Sequence, residues 1–193
     1  MIDALFFMVK TGLSVFSLVF LLRFYLQVVR ATLNNPLSIF VRAITDFAVV
    51  PVRRFVPSWR NYDLSTLGLA LICEILMLSF VLMMSNINLP GITFNILLAV
   101  VSLSFISLIK MFVYIVIVVT FAQAILSWVN PYSPIMTLLT VMTSPFLNIF
   151  RNRVRLIGGV DLSPLFLLLF CQLILIWPVN ALNKAMLVLL SVS

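Results

Sequence analysis

The polar side chains inside long apolar segments include Arg23, Glu74, Gln123 and Gln172. Of these, Glu74 together with Arg23 could bind an ion or carry a proton. A charge near the middle of a bilayer costs about 2.5–3.5 kcal/mol on insertion scales, so Glu74 is expected to be paired or protonated. Arg23 is its nearest partner by depth, and the couple is a candidate ion or proton site. The alternative is cohesion between helices, because polar side chains also hydrogen-bond across neighbouring spans.

A second group of polar residues is basic and lies between the apolar segments: Arg42, Arg53, Arg54, Arg60, Arg151, Arg153 and Arg155. Near an anionic membrane surface each such cation contributes about 1 kcal/mol, so the group could face lipid or an acidic partner. The simpler alternative is that these arginines only set topology. Nucleic acid is not expected, since the stretches lack an aromatic stacking platform.

The sequence lacks the common motifs and residue spacings of catalytic and metal-binding sites. It has no histidine, no phosphate-cradling Gly-rich loop, no Cys-x-x-Cys motif and no closely spaced pair of carboxylates. Cys73 and Cys171 lie inside apolar segments and are not expected to form a disulfide. We therefore predict a protein that is not an enzyme and has no cofactor. It could contact a haem protein but has no histidine to ligate haem.

The composition places this chain in a membrane. Of the 193 residues, 64% are hydrophobic and 9% charged, against about 25% charged in an ordinary soluble domain. Eight of the 12 basic residues fall in the two stretches between long apolar segments, which predicts that both stretches face the cytoplasm. A water-soluble globule is excluded, and a multi-pass membrane protein is expected.

The apolar segments predict an all-α integral membrane protein with four transmembrane helices, since each is near the ~20 residues that cross a bilayer. The predicted spans are 5–29, 64–85, 104–129 and 162–177. Four spans place both termini outside. We expect residues 86–103 to form a linker or a short interfacial helix, as the repeat favours. The alternative is one protruding helix from Asn95 to Val129, since these 35 residues include no Gly or Pro. Trp177-Pro178 is expected to end or kink the fourth span before an apolar tail, 179–193. Six crossings are a less favoured alternative.

An internal repeat divides the chain into two domains. Residues 36–76 align on 134–174 at an offset of 98, and upstream the offset becomes 100. Identical Pro, Thr, Arg, Asp and Ser positions make chance similarity between leucine-rich segments a poor explanation. We predict repeats over 1–85 and 104–193, each built as span, connector, span. The repeat places neutral glutamines where Arg23 and Glu74 lie, which favours cohesion over ion binding.

Each connector is predicted to begin with an amphipathic helix. Asn35-Pro36 and Ser133-Pro134 are typical helix starts, and apolar residues then recur at helical spacing within 36–56 and 134–154. Such helices suit the boundary between acyl chains and headgroups. Polar residues at the start of the next span are expected to pair with a connector arginine or cap the helix, and so to dock the connector: Asp63, Ser65, Asp161 and Ser163.

Several repeated motifs together carry a family resemblance. They are Thr45, Pro51, Arg53-Arg54, Pro57, Asp63 and Ser65 in the first copy, and Leu126-Ser127-Trp128, Thr143, Pro145, Arg151 and Gly158-Gly159-Val160-Asp161-Leu162-Ser163-Pro164 in the second. With these motifs the chain resembles the YggT family over nearly its whole length, as two tandem domains. The departures are Phe47 and Ile149 in place of frequent prolines, Asn152 in place of the second arginine, and Arg155 where the first copy has Pro57.

The resemblance implies a protein of the bacterial inner membrane, or a plastid relative, without an established enzymatic reaction. Members of the family and the related YlmG proteins are associated with osmotic or potassium stress, with cell division and nucleoid distribution, and in chloroplasts with attaching haem to a b-type cytochrome. Their shared feature is a membrane scaffold or assembly factor, here expected to engage anionic lipid and a membrane-protein partner, with homo-oligomerisation left open. The alternative is ion or osmolyte transport through Arg23 and Glu74.

Overall fold

The computed structural model describes residues 2–31, 35–55, 63–84, 94–151, 161–182 and 184, and every element within these ranges is helical. The elements are α1 (Ile2–Val28), α2 (Pro36–Val52), α3 (Leu64–Met84), α4 (Phe94–Val129), α5 (Pro134–Arg151) and α6 (Ser163–Ile174), which continues into a π-helical turn, Leu175–Val179. Helices α1, α3, α4 and α6 with its extension are long and apolar enough to cross a membrane. The predicted all-α class with four spans is therefore confirmed.

Helices α1 and α3 pack side by side in the first repeat. The Ser17 hydroxyl donates to the Ala70 carbonyl at 3.3 Å, and the rings of Phe6 and Phe80 stack with centroids 5.6 Å apart. Helix α1 ends in a tight reverse turn in which Arg30 has a φ of 52°, a conformation more often taken by glycine. The turn sends the chain back towards α2.

Helix α4 corrects the predicted boundary between the repeats. The favoured prediction of a linker or short interfacial helix over 86–103 is wrong for residues 94–103, because Phe94–Val129 is one helix of 36 residues. No Gly or Pro interrupts this stretch, so nothing in the backbone favours a break. Its first turns are packed at helical spacing, because Ile96, Ala99, Val100 and Leu103 are buried. Residues 85–93 lie outside the described ranges.

The fourth span is longer than predicted. The chain does not leave the helix at Trp177-Pro178, because the turn over Leu175–Val179 is π-helical and the helix runs on to Leu182. Proline has no backbone N–H to donate, and a wider turn accommodates the missing hydrogen bond. Of the predicted tail, residues 183 and 185–193 lie outside the described part of the chain.

One apolar core joins the two repeats. The hydroxyl of Tyr25 on α1 donates to the carbonyl of Met142 on α5. The Tyr25 ring meets Phe112 edge-on, with centroids 5.2 Å apart, and Phe112 meets Phe146 at 6.2 Å. The connector helix of the second repeat is therefore held against the first span of the first repeat.

Candidate functional site

A buried threonine fastens each connector helix to the span before it. In the first repeat, Nη1 of Arg23 donates to the hydroxyl of Thr45. In the second repeat, the hydroxyl of Thr143 donates to the amide oxygen of Gln123. All four side chains are buried, and each threonine hydroxyl also lies 2.6 or 2.9 Å from the carbonyl one turn earlier. The same contact is thus made twice, once with a cation and once with an amide.

The ion pair of Arg23 is made with Asp46 at 2.7 Å, and the predicted pairing with Glu74 is wrong. Depth along the spans suggested Glu74, but α2 folds back on α1 and brings its own carboxylate to the guanidinium. The repeat places Ser144 at the position of Asp46. Neutral residues therefore replace both the cation and the anion in the second repeat. There Gln123 contacts Thr143 and, at 3.4 Å, Thr140.

The polar residues of the second and fourth spans lie in different surroundings. Glu74 is 1% exposed, and neither of its carboxylate oxygens has a hydrogen-bond partner within the described ranges. Its counterpart in the repeat, Gln172, lies on the exposed surface of α6. Arg23 with Glu74 and Gln123 with Gln172 therefore do not form equivalent pairs in the two repeats.

An arginine–aspartate pair closes each connector onto the next span. Nε of Arg53 donates to Oδ2 of Asp63 at 3.0 Å, with a second bond from Nη2. Nε of Arg151 donates to Oδ2 of Asp161 at 2.8 Å across the same spacing of 10 residues. The two pairs differ in burial, since the Asp63 side chain is 3% exposed and that of Asp161 is 33% exposed. The structure thus brings a connector arginine and a span-start aspartate together in both repeats.

Hydrogen bonds and neighbouring positive charge lower the pKa of both aspartates. Burial raises the pKa of Asp63, but the hydrogen bond and charge of Arg53 outweigh it, so the pKa lies below its ordinary value of 3.8. Burial also raises the pKa of Asp161, and hydrogen bonds from Ser163 and Arg151 again bring it below 3.8. At neutral pH an ion pair between a charged arginine and a charged aspartate therefore joins each connector to the next span.

The start of α6 is capped differently from the expectation. The backbone N–H of Ser163 donates to Oδ1 of Asp161 at 2.9 Å, and no side chain of the N-cap residue bonds the start of the helix. The aspartate therefore serves both the helix start and the arginine pair, and Ser163 is not the capping side chain. Ser65, its counterpart on α3, is also buried.

A cavity of ≈ 180 Å³ lies between α1 and α2 in the first repeat. Three arginines line it, Arg23, Arg42 and Arg53, together with Gln27 and Ser38. The sequence assigned Arg23 to the span interior and the other two to the connector surface, and no spacing rule joins these groups. The fold-back of α2 brings them together.

Of the remaining predicted basic residues, the structure describes only Arg54. Arg54 is exposed in the turn after α2, whereas Arg60, Arg153 and Arg155 lie outside the described residues. Within those residues, no group of three side chains that could hold a metal ion is present. Among the described residues, the polar contacts of the two connectors are therefore made mainly by arginine, aspartate and threonine.

Comparison with known proteins assigns the duplicated unit to a family. The CCB3/YggT family model matches residues 2–84 and 102–182, one segment for each repeat. The chain belongs to the CCB3/YggT family. The match leaves residues 85–101 between the segments, so the family unit begins inside α4. No solved structure matches the chain.

Bacterial relatives of this CCB3/YggT protein span most of its length. An uncharacterized protein of Pseudomonas aeruginosa is 33% identical, over 87% of this chain and 84% of the relative. An uncharacterized protein from the proC 3′ region of Vibrio alginolyticus is 33% identical, over 86% and 88%. The uncharacterized protein YggT of Escherichia coli is 30% identical, over 89% and 87%. These names assign no reaction.

Proposed function

We propose that this CCB3/YggT protein is a non-enzymatic scaffold or assembly factor of the bacterial inner membrane. The observation that carries the proposal is the duplicated docking of α2 and α5 by a threonine contact and an arginine–aspartate pair. A connector that only linked two spans would need neither a buried threonine contact nor an ion pair to the next span. Fixed helices of this kind present a defined surface to a membrane-protein partner.

The exposed residues of α2 support a surface at the cytoplasmic boundary of the bilayer. Its outer side carries Ile39, Phe40 and Phe47, all exposed, and the following turn carries Arg54 and the largely exposed Phe55. Apolar residues beside cations suit acyl chains next to anionic headgroups. The positive-inside rule predicts that this side faces the cytoplasm and that both termini lie outside.

The test reverses exposed charge without breaking a docking pair. Arg54→Glu changes a cation that makes no ion pair in the described part of the chain. The control exchanges the two members of a docking pair, Arg53→Asp with Asp63→Arg, and keeps the local net charge. Membrane proteins cross-linked in native membranes are compared by mass spectrometry. We expect Arg54→Glu to lose partners that the control retains, and an identical set would contradict the proposal.

Glu74 favours a second candidate function, ion or osmolyte transport. A buried carboxylate within a span is a functional candidate by default, and this one lacks a partner among the described residues. The candidate rests on Glu74 alone, since Arg23 binds Asp46. Flux of K⁺ into proteoliposomes tests it, and transport requires flux that Glu74→Gln abolishes. No flux, or flux unchanged by the substitution, would count against it.

A further inference from the structure

We infer that the cavity between α1 and α2 binds a phosphate group, with a phospholipid headgroup as the source that its lining fits best. The inference deepens the proposed engagement of anionic lipid and rests on the placement of α2 at the membrane boundary. The cavity, at ≈ 180 Å³, has room for several waters or for the oxygens of one phosphate.

The charge of the lining is positive. Arg23, Arg42 and Arg53 line the cavity, and within the described ranges their carboxylate partners are Asp46 for Arg23 and Asp63 for Arg53. Arg42 makes no ion pair there. Arginine binds phosphate through paired N–H donors, which makes a group of three guanidinium groups suited to that anion.

A buried donor is left without a partner at the same place. Arg23 is 4% exposed, and its Nε has no hydrogen-bond partner in the described chain although Nη1 is used twice. A buried donor without an acceptor costs free energy, so an anion in the cavity would relieve it. Ser38, in the first turn of α2, adds the positive end of a helix dipole to the same wall.

The rest of the lining is apolar, which favours a lipid over free phosphate. Leu26, Ala31 and Val41 complete the wall, and these side chains suit the glycerol backbone and the first carbons of an acyl chain. Free inorganic phosphate would leave this surface uncovered. A phosphodiester with its attached diacylglycerol matches both halves of the cavity.

The second repeat provides an internal comparison. Its residues at the positions of Arg23 and Arg42 are Gln123 and Thr140, and only Arg151 repeats a cavity arginine. The duplicated ion pair therefore does not by itself make the site. The inference is one phosphate site per chain, located in the first repeat.

The experiment counts bound lipid on the full chain in neutral detergent by native mass spectrometry. The probes are short-chain phosphatidylglycerol and, as a competitor, inorganic phosphate. We expect one phosphatidylglycerol per chain, bound about tenfold more weakly by Arg42→Gln, the change that loss of a charge-assisted hydrogen bond produces. Arg54→Gln removes one cation beside the cavity but not from its lining, and is expected to bind as the unchanged protein does. Competition by phosphate at millimolar concentration would identify the free anion as a ligand of the same site.

Equal weakening by Arg42→Gln and Arg54→Gln would overturn the inference, since it would indicate diffuse surface charge. Absence of bound lipid and phosphate would also overturn it. Arg23→Gln installs the residue of the second repeat and is expected both to weaken binding and to lower the melting temperature of the lipid-free protein, because Arg23 also bonds Thr45 and Asp46. Arg42→Gln, which breaks no ion pair of the described residues, is therefore the variant that tests the cavity alone. Lipid loss in Arg42→Gln with unchanged cross-linked partners supports the cavity independently of the scaffold. Partner loss in Arg54→Glu without any lipid site supports the scaffold alone.

Discussion

Thr45 and Thr143 make the smallest repeated contact of the molecule, a hydroxyl bound to a polar residue of the preceding span. The alignment of the repeats identifies both threonines, because they stand at matching positions. It also matches Gln123 to Arg23, but it does not identify either residue as the partner of a threonine, because matching positions in two repeats do not indicate which side chains touch within one repeat. The partner becomes evident only when α2 and α5 fold back on their spans.

The threonine contact is predicted to matter more in the first repeat. Thr45→Val removes an acceptor from the charged Arg23, where a hydrogen bond is worth about 1.5–3 kcal/mol. Thr143→Val removes a neutral contact with Gln123, which averages about 0.6 kcal/mol between membrane helices. Chemical unfolding in detergent should therefore show the larger loss for Thr45→Val. Equal losses would mean that the charge of Arg23 adds nothing to the contact.

The partner of Arg23 shows where residue-level inference from sequence ends. Counting residues along two helices gives depth, and depth made Glu74 the expected partner. A helix that folds back adds candidates at the same depth, and Asp46 is one of them. No periodicity within α1 or α2 predicts which side chains meet across that fold-back, so the cavity arginines also remained in separate groups.

At the scale of the elements, the two arginine–aspartate pairs predict different sensitivities. Asp63→Asn should lower the free energy of unfolding by about 1.5–3 kcal/mol, because a nearly buried carboxylate loses its charged bonds. Asp161→Asn should cost less than about 1 kcal/mol, as for an exposed pair. Unfolding of both variants at neutral pH checks the order, and equal costs would contradict it.

The same pair gives a pH dependence with a definite sign. The pKa of Asp63 is lower in the folded protein than its ordinary 3.8, so its stabilising effect is complete above 3.8 and is lost as the pH falls through the folded pKa. The stability difference between the unchanged protein and Asp63→Asn should therefore shrink on acidification. Melting temperatures measured at neutral pH and below pH 3.8 test this, and a constant difference would be inconsistent with it.

Hydropathy predicts the four spans well, because twenty apolar residues in a row have few alternatives. The predicted start of the third span is wrong for a different reason. Repeat symmetry suggests a break before residue 104, because the first turns of α4 have no counterpart in α1. The extra turns form instead because Ile96, Ala99 and Val100 are buried against the rest of the bundle. Tertiary packing extended the helix beyond the repeated unit.

Continuity of α4 is testable at Val101, a partly exposed position in its early turns. Val101→Pro removes a helix hydrogen bond and should cost about 3 kcal/mol or more. Val101→Ala, with little lost packing, should cost less than 1 kcal/mol and is the matched control. Unfolding of the two variants in detergent gives the difference. A proline as well tolerated as alanine would indicate a linker at this position.

At the scale of the whole molecule, Tyr25 joins the repeats through one hydrogen bond and one aromatic cluster. Tyr25→Phe keeps the ring and leaves the Met142 carbonyl without this donor, for an expected loss of about 1 kcal/mol. Tyr114→Phe, at a half-exposed tyrosine of α4, should leave stability unchanged. Thermal unfolding of the full chain compares them. Equal stability of the two variants would mean that the Tyr25 hydrogen bond contributes nothing to the contact between repeats.

The unbroken length of α4 has a consequence for the bilayer around the protein. Its apolar stretch, Ile96–Val129, has 34 residues, which is about 51 Å against a hydrocarbon thickness of about 30 Å. A straight helix would need a tilt of about 54° to fit, more than the ~40° limit that spans usually reach. Thickening of the surrounding lipid must absorb part of the mismatch, or the end of the helix must lie among headgroups. Longer acyl chains thicken the bilayer and reduce the tilt that α4 needs. Because α5 and α6 pack on α4, the tilt of the second connector helix, α5, is expected to change with it.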